Sequence, residues 1–236
     1  STITGGTHIN MTGGTVWRSV YGGGYTAWGS KNTIDYTEVS VSGGTVFDDV
    51  LGGSYVVGGG KDAASGNSST ITGNSTVTIS GDAYIKRSVF GGGWVNWATG
   101  TASSIVKGIS TVKIEGGVIE GDVVGGGMAM SYIGDGSSSK LVSESGATVI
   151  SLAHGTVKGN VYGGGYSIDS YGRGALVTND VDNTSITVSG ATIEGSVYGG
   201  GCSEGEGVTN TVNGNANIAI TAGSVGGDVF GGASGG

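Results

Sequence analysis

The sequence contains no proline, one cysteine and two histidines among its 236 residues. The lack of proline excludes a collagen triple helix and a polyproline stalk. A single cysteine, Cys202, leaves no partner for an intramolecular disulfide and excludes a cysteine-based zinc site. Charged residues make up only 12% of the chain, whereas disordered chains combine low hydrophobicity with high charge. These absences favour a folded chain without disulfide crosslinks.

Positive charge is also scarce. Ten Lys and Arg residues stand against eighteen Asp and Glu, which gives a net charge of −8. Nucleic-acid binding requires clustered cations, and so does attraction to an anionic membrane surface. No stretch of about 18 apolar residues is present, as a membrane-spanning helix would need. We therefore expect neither a nucleic-acid partner nor membrane insertion.

Glycine, by contrast, is abundant, with 54 residues. Most of the glycine pattern is repetitive, because seven segments place a glycine run after a valine and a second, usually bulky, residue. These runs begin at Gly22, Gly52, Gly91, Gly125, Gly163, Gly199 and Gly231. Their mean spacing is about 35 residues, within the range that is typical of solenoids and other repeat architectures.

Four aliphatic positions recur in register in every repeat. In the second repeat they are Val39 and Val41, then Val46, then Val50. β-Branched residues in alternation indicate short strands, which we name a (the alternating pair), b (after a Gly-Gly turn) and c (before the glycine run). A return segment of variable length, rich in Ser, Thr, Asn and Gly, leads to the next repeat. The sequence therefore predicts an all-β, parallel β-solenoid, a single domain over 1–236 with about seven coils of three short strands and variable return loops.

A further set of equivalent positions, one in each repeat, is polar and lies in the turn before strand c. We call such a set a column. Its members are all Ser, Asp or Asn: Ser19, Asp49, Ser88, Asp122, Asn160, Ser196 and Asp228. Such side chains bond to nearby backbone at turns, so the column predicts a structural ladder along the solenoid. The sequence matches neither the calcium-binding nonapeptide nor the EF-hand pattern. We expect no cofactor and no metal ligands, and calcium binding by the ladder stays open.

The residues that flank each glycine run form two columns on the outside of the predicted coil. The candidate binding residues in these columns are Tyr21, Tyr25, Tyr55, Trp94, Tyr162, Tyr166 and Tyr198. A ribbon of this kind is too apolar to remain in water. Three interpretations are open: the return loops cover it through Trp28, Trp97, Tyr132 and Tyr171; it packs laterally against another protein; or it is a carbohydrate platform.

Signals for catalysis are weak. His8 and His154 lie in different repeats without zinc-binding spacing, and no Gly-x-Ser-x-Gly elbow occurs. Glu120 and Glu194 share a column but lie two coils apart, roughly 10 Å from the spacing of strands. That separation barely overlaps the range of inverting glycosidases. We therefore predict no catalytic residues and no enzymatic activity, with a polysaccharide-active enzyme as the third hypothesis.

The recurring Gly-Gly-Thr-Val and Val-Tyr-Gly-Gly-Gly-Tyr segments, as at Gly13–Val16 and Val161–Tyr166, resemble repeats of bacterial cell-surface proteins of the adhesin and autotransporter-passenger class. The resemblance covers Thr7 to Gly232 and implies an extracellular, cell-surface setting and a structural or adhesive role. Neither end of the sequence predicts a helical cap, although open solenoid ends offer unpaired backbone. We therefore expect end-to-end association of copies into a filament, or a part in a longer surface rod. A glycan-binding module is the alternative.

Overall fold

A computed structural model describes residues 1–58, 66–96, 100–131, 140–169 and 176–235. Within these ranges the chain is built from strands and turns, and no helix that could span a membrane is found. The strands of the described residues are, in chain order, β1 (Thr2–Val16), β2 (Val20–Tyr21), β3 (Tyr25–Thr26), β4 (Lys31–Val46), β5 (Val50–Leu51), β6 (Tyr55–Val57), β7 (Asn67–Ile71), β8 (Ser75–Ile79), β9 (Tyr84–Ile85), β10 (Val89–Phe90), β11 (Trp94–Asn96), β12 (Thr101–Val106), β13 (Ser110–Ile119), β14 (Val123–Val124), β15 (Met128–Ser131), β16 (Lys140–Ser145), β17 (Thr148–Val157), β18 (Val161–Tyr162), β19 (Tyr166–Asp169), β20 (Leu176–Val181), β21 (Thr184–Ile193), β22 (Val197–Tyr198), β23 (Cys202–Glu204), β24 (Val208–Val212), β25 (Ala216–Val225), β26 (Val229–Phe230) and β27 (Ser234–Gly235).

These strands form three parallel sheets, one of 13 strands and two of seven. In each sheet a residue pairs with its counterpart in the neighbouring repeat, as Val89 does with Val50 on one side and Val123 on the other. The two smaller sheets take one strand from each repeat, so five coils lie between two neighbours and two are terminal. The predicted all-β, parallel β-solenoid is therefore confirmed.

The prediction of separate strands a and b is wrong for most coils. In β13, for example, strands a and b form one continuous strand, Ser110–Ile119, with a register shift where the turn was expected. The φ angle of +76° at Gly117 bends the backbone at that shift without ending the ladder. Strands a and b are separate only in the third coil, as β8 and β9, where the sequence carries an extra residue.

The return segments were also predicted to be loops, and the structure corrects this. They contain strands β7, β12, β16, β20 and β24, which extend the large sheet. In β12 the buried side chains are Ala102, Ser104 and Val106, and they alternate with more exposed neighbours. Because one of the inward positions is polar, the alternation does not stand out as a hydrophobic pattern.

The coils consequently enclose two cores. The first contains the predicted aliphatic columns, such as the fully buried Val112, Ile114, Ile119 and Val123 of the fourth coil. The second lies between the return strands and the short strands that follow the glycine runs, and its buried members are Val56, Val95, Ala102, Ala129, Leu141 and Val177. Both cores run along the axis of the solenoid.

The glycine runs separate the two cores, and at the glycines of the inner coils a Cβ atom would overlap neighbouring atoms. A Cβ atom on Gly125 would lie 2.8 Å from the Cβ of Thr148 and still closer to the carbonyl oxygen of Gly163. A Cβ on Gly127 would overlap the hydroxyl of Ser143 in the return strand. The backbone of the run therefore packs directly on the large sheet. We call this contact, formed by the first and third residues of the runs, the glycine waist. The third residue is glycine in five runs, Ser54 in the second run and Ala233 in the last.

The glycine waist predicts a large difference between two glycines of the same column. Gly125→Ala inserts a methyl group against backbone of the next coil, and we expect a loss of about 1–3 kcal/mol in the free energy of unfolding. Gly231→Ala is the matched control, because a Cβ at Gly231 would meet no atom within 4 Å. Urea denaturation of both variants measures the difference. Equal stability of the two variants would contradict the packing described here.

Candidate functional site

The polar turn column forms a continuous ladder of hydrogen bonds. In each coil the side-chain oxygen accepts the backbone N–H of the same position in the next coil. The bonds run from Ser19 to Asp49 (3.2 Å), Asp49 to Ser88 (2.9 Å), Ser88 to Asp122 (3.0 Å), Asp122 to Asn160 (2.7 Å), Asn160 to Ser196 (2.8 Å) and Ser196 to Asp228 (3.0 Å). Because each bond joins equivalent positions of adjacent coils, the column holds the coils in register.

Two carboxylates of this ladder are shielded from solvent, since Asp49 is buried and Asp122 is half-buried. Burial raises the pKa of Asp49 and of Asp122 above the ordinary value, although the amide hydrogen bond that each accepts opposes the shift. Arg87 also opposes it at Asp49, with its Nη1 3.7 Å from Oδ2. Across the described residues, no group of three or more His, Cys, Asp or Glu side chains is placed to hold a metal ion. The side-chain oxygens of the ladder instead accept hydrogen bonds from backbone N–H groups.

A second ladder, of hydroxyl groups, was missed by the sequence analysis. The residue two positions before the first aliphatic residue of strand a donates to the carbonyl oxygen of the first glycine of its own coil. These bonds are Thr7 to Gly22 (2.5 Å), Thr37 to Gly52 (2.7 Å), Ser75 to Gly91 (2.7 Å), Thr148 to Gly163 (2.6 Å) and Thr184 to Gly199 (2.6 Å). In the fourth coil Ser110 instead donates to the hydroxyl of Ser145 at 3.0 Å. The signal was available, because this position is Ser or Thr in six of the seven repeats and Ala216 in the last.

The structure brings the predicted aromatic residues together in one cluster, in which Tyr162 is buried, Tyr25 is exposed and the others are half-buried. Rings of successive coils in one column stack on each other along the axis: the centroids of Tyr162 and Tyr198 are 5.0 Å apart, and so are those of Tyr198 and Phe230. Between the two columns, the centroids of Tyr21 and Tyr55 are 5.3 Å apart. Trp94 and Tyr166 belong to the same cluster. Ring faces inside a column are therefore covered by the next ring, which limits the surface that a flat carbohydrate platform would need.

The expectation that Trp28 covers the aromatic columns is wrong. Trp28 is 85% exposed and has a positive φ angle of 57°. This residue follows the short strand β3 in a turn that carries its side chain into solvent. The other three residues proposed for this role, Trp97, Tyr132 and Tyr171, lie outside the described residues.

The column that contains Glu120 and Glu194 carries a lysine between them. Lys158 Nζ lies 2.7 Å from Glu120 Oε1, and the Tyr84 hydroxyl also donates to this carboxylate. Both bonds hold the pKa of Glu120 below its ordinary value. A glycosidase general acid requires the opposite shift. In the second and third coils the same column continues with Lys86, whose Nζ is 3.6 Å from the ring centroid of Phe47.

The two histidines lie on the surface. His154 is exposed, and His8 Nδ1 lies 2.8 Å from a carboxylate oxygen of Glu38 with both side chains more than half exposed. His8 Nε2 is 3.2 Å from the Tyr36 hydroxyl. These contacts form a small polar cluster on the first two coils.

Comparison with known proteins returned no match to a family model, to a curated protein or to a solved structure. Functional inference for this chain therefore rests on the geometry of its columns, ends and surface.

The turn ladder predicts a difference between two substitutions of Asp122. A carboxyl whose pKa is raised by folding contributes less stability as the pH rises above its ordinary value of 3.8. An asparagine at this position would keep the side-chain oxygen that accepts the hydrogen bond but would carry no charge. Asn160 in the next coil accepts the N–H of Ser196 in this way. We expect Asp122→Asn to be at least as stable as the original protein at pH 7, with a smaller loss of stability between about pH 4 and 7.

Asp122→Ala is the contrasting variant, because it leaves the N–H of Asn160 without its acceptor. We expect this substitution to cost about 1–3 kcal/mol at pH 7. Urea denaturation at several pH values measures both effects. If the Asn and Ala variants lost the same free energy of unfolding, the hydrogen bond from the N–H of Asn160 would not contribute to stability at this position.

Proposed function

We propose that this protein is a non-enzymatic structural β-solenoid of the cell surface, whose first and last coils stack on other copies end to end or continue into a longer surface rod. The observation that carries the proposal is that both terminal coils are open cross-sections of the core, with matching columns. Extracellular placement is supported by the resemblance of the Gly-Gly-Thr-Val repeats to those of surface adhesins. The role follows from stiffness, because stacked parallel sheets make a rod.

The coil at the carboxyl end exposes residues that are core residues elsewhere. Val229 is 47% exposed and Phe230 is 43% exposed, whereas Val89 and Phe90 in the same two columns are buried. Strand β26 pairs with β22 on one side and has no described strand on the other. This face therefore presents apolar side chains together with unpaired backbone groups, which is the combination that templates a further strand.

The coil at the amino end is open in the same way. Strands β2 and β3 each pair with only one described strand, β5 and β6 respectively. Trp17 and Tyr25 at this end are strongly exposed, although their columns continue with the partly buried Phe47 and Tyr55. A further coil placed against this face would extend all three sheets.

The two faces match because all coils are parallel and share one register. Stacking the first coil of one copy on the last coil of another joins Val20 to the column of Val229, and Tyr21 to the column of Phe230. Asp228 is exposed at the end of the turn ladder, where its carboxylate is placed to accept the N–H of Ser19 of the next copy. A head-to-tail contact of this kind does not close on itself, so it generates a filament.

Val229→Lys tests the assembly directly. The site is half exposed in the single chain, so a lysine is tolerated there, but stacking would bury its charge in the first core. We expect the original protein to form filaments at increasing concentration and Val229→Lys to remain as single short rods. Negative-stain electron microscopy with light scattering on a sizing column measures both.

Ile109→Lys is the matched control, since Ile109 is comparably exposed but lies on the side of the solenoid. A second pair, Asp228→Ala and Asp35→Ala, removes one negative charge from the end and from the side respectively. We expect only the end variants to shift assembly to higher concentration. Single rods at every concentration for the original protein would contradict the proposal.

A further inference from the structure

A cleft of about 410 Å³ lies on the flank of the first three coils, beside the aromatic columns. Its walls include the rings of Tyr55 and Trp94, the amide of Asn96 and the guanidinium groups of Arg18 and Arg87. This volume lies in the range of small-molecule sites, which combine aromatic walls with a few convergent polar groups. Three of its lining residues, Arg18, Ser19 and Tyr21, belong to the first coil.

Two polar atoms of the cleft walls are buried without a partner among the residues that the structure describes. Asn96 is only 8% exposed, and its Nδ2 donates to the Tyr55 hydroxyl at 3.2 Å, but its Oδ1 accepts no hydrogen bond. The indole N–H of Trp94 is likewise buried and donates to no acceptor. A free acceptor and a free donor at one site suit a ligand hydroxyl group, which can both donate and accept.

Two guanidinium groups line the same cleft, together with the carboxylate of Asp48. The chain has three arginines, and two of them line it. Arg18 is 91% exposed, and its Nε lies 3.9 Å from an oxygen of Asp48. Arg87 Nη1 lies 3.7 Å from Asp49. Neither pair has the short bidentate geometry of a saturated guanidinium, so donors remain for a carboxylate ligand.

We infer that this cleft binds an acidic saccharide, that is, a pyranose bearing a carboxylate. The ring would lie against Tyr55 and Trp94, with its hydroxyl groups on Asn96 Oδ1 and Trp94 Nε1. The carboxylate would bind Arg18 and Arg87. The sequence analysis considered a carbohydrate platform along both aromatic columns. The inferred site is smaller, because it lies on the first three coils only. This inference does not rest on end-to-end assembly.

Isothermal titration calorimetry with three small probes tests the site. Methyl β-glucuronide carries the ring, the hydroxyl groups and the carboxylate; methyl β-glucoside lacks the carboxylate; sodium acetate lacks the ring. We expect the glucuronide to bind about tenfold more tightly than either of the others, since a charge-assisted bond is lost in one case and the ring contacts in the other. Equal binding of the glucoside or of acetate would overturn the inference, as would no binding of the glucuronide.

Variants then assign the contacts. Arg18→Gln changes an exposed side chain, and we expect it to weaken glucuronide binding about tenfold without changing glucoside binding. Asn96→Leu removes the free acceptor and should weaken both sugars. Lys113→Gln is the matched control, because it removes one exposed positive charge from a strand remote from the cleft. Unchanged glucuronide affinity in Arg18→Gln would contradict the placement of the carboxylate.

Discussion

The structure depends on the close approach of glycine backbone to the large sheet. At Gly125 and Gly127 the inward side has no space for a methyl group, because Thr148 and Ser143 occupy it. This contact brings the hydroxyl ladder within bonding distance of the glycine carbonyls and divides the interior into two cores. It also sets the positions of the residues on either side of each glycine run, so that their side chains come into contact outside the coil. The ring centroids of Tyr162 and Tyr166, for example, are 5.8 Å apart.

Register between coils comes from side chains as well as from backbone pairing. Parallel sheets of similar aliphatic residues could slip, and slipping by one residue would turn every core side chain outward. The turn ladder penalises such a slip, because Asp122 accepts an amide only from the equivalent position, Asn160. The ion pair between Lys158 and Glu120 adds a second, exposed constraint in a neighbouring column. The same repetition leaves the first and last coils with matching, uncovered faces.

Much of the fold could be predicted because its core obeys a simple period. Val112, Ile114, Ile119 and Val123 are buried where their alternation placed them. The return strands could not be predicted in this way, because their inward residues include polar side chains such as Ser104 and Asn179, and Asn179 donates to the carbonyl oxygen of Gly127 at 2.6 Å. Strands a and b were separated in the prediction because Gly-Gly indicates a turn, whereas Gly117 makes a bulge inside one strand.

The candidate sites differ in how far sequence alone could define them. Column alignment was enough to find the turn ladder, since Ser, Asp and Asn recur at one position. It could not show that stacked neighbours cover rings such as Tyr198, nor that Arg18 and Asn96, which are 78 positions apart, border one cleft. That cleft depends on the stacking of three coils, which no local pattern encodes.

Concentration-dependent amide hydrogen exchange tests the central claim, that stacking continues across the ends, most directly. At low concentration the peptide covering Val229 and Phe230 should exchange rapidly, while that covering Val89 and Phe90 is protected on both sides. At high concentration the terminal peptide, and that of Val20 and Tyr21, should gain protection. Terminal exchange that is independent of concentration would contradict the account.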